Sequence, residues 1–326
     1  MHWIILSAII LFLNSSCGKT PDSDLLFFNK LMSSKHLSQK SSPREYWESI
    51  APLCHGYPSK ENCDDGDTVL FGGLLCWSGD ERGCELVKKS QGSDGRWWRS
   101  PRRNPGNLGQ DKSFSRDMAI GVMLYLTITK DVVAAESWLQ WIEAHRPCIE
   151  PAGETLTEKC LVPGLHRYCT DGPQQMCTLT PASWANMGHV WSYLGLKKHQ
   201  LMKVNAAADD VPGPFSLMSR ANTTPLGYQL HLVAAEILMK IGIDIQRDHR
   251  ENAARTLSER QPGNPYFQFL AGRNHEDIWA DVVRLCPKPG NGPTRRFQWS
   301  WERDTAEVAW TESMGWDCIF MDQLAR

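Results

Sequence analysis

The sequence predicts a mainly α protein, an (α/α) toroid-like array of helical hairpins with a disulfide-stapled loop insertion. Three observations lead there. From Tyr46 onward, apolar residues recur mostly at helical spacing. An apolar helix with a polar or acidic start, a short turn and an amphipathic helix then repeat at intervals of roughly 40–50 residues. Residues 148–178 interrupt that rhythm with four cysteines, six glycines or prolines and little periodicity. The same rhythm also fits an irregular all-α bundle.

The elements follow in chain order. MHWIILSAIILFL is an apolar run too short to span a bilayer, and no Lys or Arg precedes it. It ends at Asn14-Ser15-Ser16-Cys17-Gly18, small residues before a cysteine, as in a bacterial lipoprotein signal; Asn14 stands where an aliphatic residue is usual. Residues 1–17 are therefore expected to be a signal peptide with Cys17 lipidated. Residues 18–44, rich in Ser and Lys toward their end, read as a polar tether. Residues 45–326 read as a single all-α domain. Within it, 64–79 open on acids and close on Ser-Gly, 81–90 form a short following helix, 113–129 begin with a serine cap, and 132–146 are amphipathic. Helical pattern resumes at 180–196, with Thr180 as cap and Pro181 at the first helical position. Further helices are read at 223–242, 250–261, 264–272 and 275–286, while 295–310 fit either an extended or a helical form.

Composition narrows the function. With 326 residues, 41% hydrophobic and a net charge of −2, the chain has ample core material and no global field to draw it onto nucleic acid. Removing Cys17 from the 11 cysteines leaves an even ten, which in an exported chain points to disulfides in an oxidising compartment. The close pairs Cys54/Cys63, Cys76/Cys84 and Cys169/Cys177 could close local loops, although spacing does not fix connectivity; buried free thiols are the alternative. A zinc site from Cys160, His166, Cys169 and Cys177 lacks knuckle spacing. GxSxG, P-loop, HExxH and GxGxxG motifs are absent, so no cofactor or metal is expected.

The stretch GDTVLFGGLLCWSGDERGCELVKKSQGSDGRWWRSP, residues 66–101, resembles a hairpin of the six-hairpin glycosidase superfamily and of the α/α-toroid polysaccharide lyases. Its acidic inner-helix start, Ser-Gly-Asp turn and Asp-Gly-Arg-Trp loop carry the likeness, and 113–146 are similar to the next hairpin. The resemblance covers residues 64–272, where five hairpins are visible. It implies a central cleft at the N-terminal ends of the inner helices, occupied by a polysaccharide or other glycan. In hydrolases of that class an acidic pair does the chemistry; in lyases a Tyr/His pair does.

Glycoside hydrolysis needs one protonated and one ionised carboxyl, about 5–5.5 Å apart for retention or about 6.5–9.5 Å for inversion. Acids at inner-helix starts are Asp64, Asp65, Asp67 and Asp117, and Asp67 and Asp117 are the expected acid/base pair. The alternative for each is a structural acid at a helix N-terminus, stabilised by the helix dipole. Arg96 and Arg99 flank Trp97 and Trp98; the arginines could fork onto carboxylates or sulfates, so the glycan could be anionic. In an extended segment neighbouring side chains point oppositely, so one tryptophan is expected to be buried and the other to face the cleft; a core tryptophan beside a solvated arginine turn is the alternative. Arg116, Trp184, His189, Tyr228 and His231 complete the expected binding set, and Tyr228 and His231, three apart, could serve a lyase. The function expected is an exported, periplasmic or cell-surface glycoside hydrolase anchored to the membrane by lipid. The rivals are a polysaccharide lyase, a non-catalytic glycan- or protein-binding lipoprotein, and a membrane-active effector with an exposed apolar patch.

Overall fold

The computed structural model describes residues 42–104, 114–151, 160–170, 177–197, 247–290, 299–302 and 306–326. The signal with Cys17, most of the tether, the helix read at 223–242 with Tyr228 and His231, and parts of the stapled loop lie outside the described residues. Among those described are eleven α-helices and two sheets of two strands each. The chain is mainly helical, as its periodicity predicts.

Helix α1, Pro43–Ile50, starts on a capping box: Ser42 accepts from the Glu45 amide, and the Glu45 carboxylate accepts from the Ser42 amide. Ser42 and Pro43, inside the stretch assigned to the tether, thus already open a helix. A small hairpin follows, β1 (Leu53–Cys54) against β2 (Tyr57–Pro58), and sequence periodicity missed it because two-residue strands carry none.

The first two long hairpins fall within their predicted bounds. Helix α2, Thr68–Trp77, is buried from Thr68 to Cys76, whereas α3, Glu81–Lys89, turns only Gly83, Leu86 and Val87 inward. Asp80 caps α3 through the Arg82 amide, and Cys76–Cys84 bonds the two helices. Helix α4, Arg116–Thr129, is capped by Ser115 and is buried along most of its length; α5, Val132–Ala144, is capped by Asp131. The buried helices α2 and α4 cross at Gly73 and Gly121. A Cβ on Gly73 would stand 2.6 Å from the Gly121 Cα, and one on Gly121 would stand 2.5 Å from the Leu70 Cα. Only glycine permits backbones this close.

The insertion is more regular than its sequence implies. Strands β3 (Cys148–Pro151) and β4 (Cys160–Pro163) pair antiparallel with irregular register and are joined by Cys148–Cys160. A second loop is closed by Cys169–Cys177 and by the bond from the Tyr168 amide to the Cys177 carbonyl, 2.7 Å. Helix α6, Pro181–Tyr193, begins as predicted, Thr180 Oγ1 accepting from the Ser183 amide at 3.2 Å. Thr180→Ala is expected to cost roughly 1 kcal/mol, read as a lower urea midpoint at unchanged slope.

Helices α7 (Arg247–Arg260), α8 (Pro265–Leu270), α9 (His275–Leu285), α10 (Ala306–Thr311) and α11 (Trp316–Ala325) make the C-terminal part. Helix α11 returns to the start of the body. Arg44 of α1 reaches Asp322 at 3.1 Å and Asp80 at 3.7 Å, Phe320 meets Phe71 of α2 edge-on, and Cys286–Cys318 ties α11 to the end of α9.

All ten cysteines after Cys17 are paired: Cys54–Cys63, Cys76–Cys84, Cys148–Cys160, Cys169–Cys177 and Cys286–Cys318. Free thiols are thereby ruled out, and the zinc reading loses its thiolates. Five disulfides place the body in an oxidising environment. Among the described residues no helix is long and apolar enough to cross a membrane.

Candidate functional site

The acidic segment before α2 divides into carboxylates held by cations and one that is not. Asp64 accepts from the Gly66 amide at 2.8 Å and pairs with Lys60 at 3.0 Å. Partial burial works against its charge, but the Gly66 amide and the Lys60 ammonium hold it below the usual carboxylate range. Asp65 is buried and forked by the Arg103 guanidinium, with Arg102 Nη2 at 3.2 Å and Ser100 Oγ at 3.4 Å. Those contacts lock the short 3₁₀ turn Pro101–Arg103 beneath the start of α2 and engage both Asp65 oxygens with guanidinium donors.

Asp67 differs. It occupies the N-cap of α2 in a left-handed conformation, φ 56°, and its side chain caps nothing. Burial pushes its carboxyl above the usual range; Arg99 and Lys60 oppose the shift and Asp64 adds to it. Asp117 stands in the first turn of α4. Burial raises it too, the nearby charge of Asp67 raises it further, and Arg116 and Arg99 pull against both. The predicted pair therefore lies within one electrostatic neighbourhood, at the N-terminal ends of two helices in backbone contact. Arg99 lies among these acids, its own charge disfavoured by burial. Among the described residues, neither Asp67, Asp117 nor Arg99 forms a contact ion pair, so each retains polar atoms for a ligand.

Comparison of the chain with protein-family models, curated proteins and solved structures finds no match. The site therefore has to be judged on its own geometry.

The tryptophan loop corrects an expectation. Asp94 Oδ1 accepts from the Arg96 amide and Oδ2 from Trp141 Nε1, both at 3.1 Å. Gly95, φ 92°, lies so close to α5 that a Cβ would stand 2.7 Å from the Ser137 carbonyl carbon. Gln91 bridges Trp97, and the Trp98 amide donates to the Ser90 carbonyl at 2.8 Å. This turn presses the whole segment onto α5. Trp97 is fully buried, edge-on to Tyr125 at 5.9 Å and Trp138 at 6.3 Å. Trp98 is 8% exposed, its ring covered by the Arg96 guanidinium at 3.9 Å. Neither tryptophan offers a cleft-facing platform, and buried Arg96 serves as the lid of Trp98. The extended-strand argument failed because the Asp-Gly turn folds the segment back.

The remaining predicted residues scatter. Arg116 is exposed beside Asp117, in reach of the same site. Trp184 is buried edge-on to His166 at 4.7 Å and belongs to the core, not to a sugar platform. His189 is half-buried, offset from the inward line of Trp184, Gly188 and Trp191. Sequence reasoning missed Lys60, Arg102 and Arg103, whose role is set by partners distant in the chain. His166, weighed only as a zinc ligand, is buried and bonded to Glu143 at 2.9 Å. The Arg-Arg doublet at 102–103 after a run of acids was the available signal.

Proposed function

We propose that the protein is an exported glycoside hydrolase in which Asp117 is the general acid and Asp67 the general base or nucleophile. The observation that carries this reading is the pairing of two uncapped, unpaired acids, both raised by burial, at adjacent helix starts. Opposed environments separate their roles. Burial raises both; the Asp67 charge adds to the rise at Asp117, whereas Arg99 and Lys60 oppose it at Asp67, and the assignment of roles rests on that asymmetry. A protonated acid can donate to a glycosidic oxygen while an ionised neighbour attacks the sugar or activates water. Arg99 and Arg116 would hold hydroxyls or an anionic group of the glycan.

An (α/α) toroid-like array is the architecture in which this site makes sense. Buried α2 and α4, amphipathic α3, and an α11 that returns against α1 and α2 support it. Lipid attachment through Cys17 and a periplasmic or cell-surface location belong to the same reading, supported by the leader sequence and the five disulfides.

The test is release of reducing ends from a panel of neutral and acidic polysaccharides by the purified body. Asp67→Asn and Asp117→Asn should each lower a demonstrated rate by about a hundred-fold or more with unchanged circular dichroism. Undiminished cleavage by both variants would remove the assignment. A second reading, a non-catalytic glycan- or protein-binding lipoprotein, is favoured by the Arg-locked Asp65; it predicts binding without any cleavage. A lyase would act through Tyr228 and His231 and would release unsaturated ends absorbing in the ultraviolet.

A further inference from the structure

We propose that the groove between the β1–β2 turn and the C-terminal end of α3 binds an anionic oligosaccharide carrying sulfate or uronate groups. The groove encloses about 410 Å³ and is lined by His55, Tyr57, Lys89, Pro101, Arg102 and Asn104. Its size falls within the roughly 300–1,000 Å³ span of small-ligand sites. Three of the six side chains are basic or can become so, one is aromatic, and none is a carboxylate.

The cations come from two elements. Arg102, its Nη2 3.2 Å from Asp65, brings one from the 3₁₀ turn, and exposed Lys89 brings another from the end of α3. Arg102 keeps a buried Nε–H without a hydrogen-bond partner. Because the whole chain carries −2, this cationic concavity is a local feature and not part of a basic surface.

The frame is also rigid. Asn104 Nδ2 donates to the Lys89 and Gln91 carbonyls at 2.7 and 2.8 Å, fastening the 3₁₀ turn to the end of α3. Cys54–Cys63 pins the hairpin that carries His55 and Tyr57. The cations are therefore presented on a fixed scaffold, which lowers the ordering cost of binding. Guanidinium and ammonium groups suit sulfate and carboxylate oxygens, and the half-buried Tyr57 ring offers an apolar face to a pyranose. One ring is too little stacking surface for a single-stranded nucleic acid, which takes successive bases on several.

The site needs neither Asp67 nor Asp117, so it stands or falls separately from the hydrolase reading. The experiment is calorimetric titration of the full-length protein with oligogalacturonate, with sulfated dextran fragments and with neutral dextran of matched length. Binding of at least one anionic probe, weakened by salt, with no binding of neutral dextran, is expected. Lys89→Glu, at an exposed position, should weaken that binding at least ten-fold, and Tyr57→Ala and Arg102→Lys should weaken it further than they perturb the circular dichroism. Asp67→Asn/Asp117→Asn should bind as the parent does. Equal binding of neutral dextran, an unaffected Lys89→Glu, tighter binding of a single-stranded oligonucleotide, or loss of binding in the double Asp variant would each overturn the proposal. So would inorganic sulfate competing at the oligosaccharide's own concentration, which would mark a bare anion site.

Discussion

Gly73→Ala is expected to destabilise the protein by about 4 kcal/mol, at the upper end of single-substitution effects. The new methyl would press on the Gly121 backbone, and a backbone cannot rotate away as a side chain can. Relief would require the two most buried helices to separate, which would also open the packing of Leu70 and Val122 around the crossing. Since domains hold only about 5–15 kcal/mol in all, the variant should show a much lower urea midpoint and poor recovery from expression. Gly121→Ala should behave alike, and the double variant should cost less than the sum because both report one contact. A shift under about 0.5 kcal/mol for either single variant would mean that α2 and α4 do not cross at these residues.

The second large effect concerns Asp317, fully buried in the first turn of α11. Its Oδ1 accepts from the Ser300 and Trp301 amides at 2.9 and 3.3 Å, and its Oδ2 faces Ser313 Oγ at 3.3 Å. Burial raises its pKa to about 6, against the pull of those hydrogen bonds. The folded state therefore binds this proton more tightly than the unfolded state, for which a value near 3.8 applies. Stability from this group is fully present below that lower value and is lost as pH rises toward 6. A shift of about two units amounts to roughly 3 kcal/mol at neutral pH. Asp317→Asn keeps an acceptor for both amides without the charge, so it should exceed the parent in stability by about 1–3 kcal/mol at pH 8, with the gap closing by about pH 4. Asp317→Ala orphans two buried amides and should lose roughly 2–4 kcal/mol at every pH. Parallel pH profiles for the parent and Asp317→Asn would refute the raised pKa.

Much of this was legible in the sequence where the signal is local. Ser115, Thr180-Pro181 and Asp80 announce helix starts through hydrogen bonds to residues two or three positions on, so no tertiary knowledge is needed. Three disulfides were suggested by their close spacing. Cys286–Cys318 joins residues 32 apart through the packing of two helices, and spacing says nothing about that. The acid pair was visible as charges at the mouths of apolar helices, yet the division of labour between Asp64, Asp65 and Asp67 was not. It depends on Lys60 and on Arg102 and Arg103, which only the fold brings up. Trp97 and Trp98 were misread because their orientation depends on a turn, and the Asp-Gly dipeptide marking it was read without its docking partner Ser137.

The disulfides also bear on how the chain acquires its shape during export. Four of the five join partners 8 to 12 residues apart. On the export proposed above, with the chain threading a membrane pore from its N-terminus, each such partner emerges almost together with its mate, before any later thiol can compete. At synthesis rates of about 5–20 residues per second, the interval is roughly half a second to two and a half seconds. Only Cys286 must wait, its mate lying eight residues from the end of the chain. Among the ten cysteines after Cys17, pairing in order of emergence therefore yields the native set without reshuffling, and the last bond closes as the C-terminal helix arrives to seat against the first.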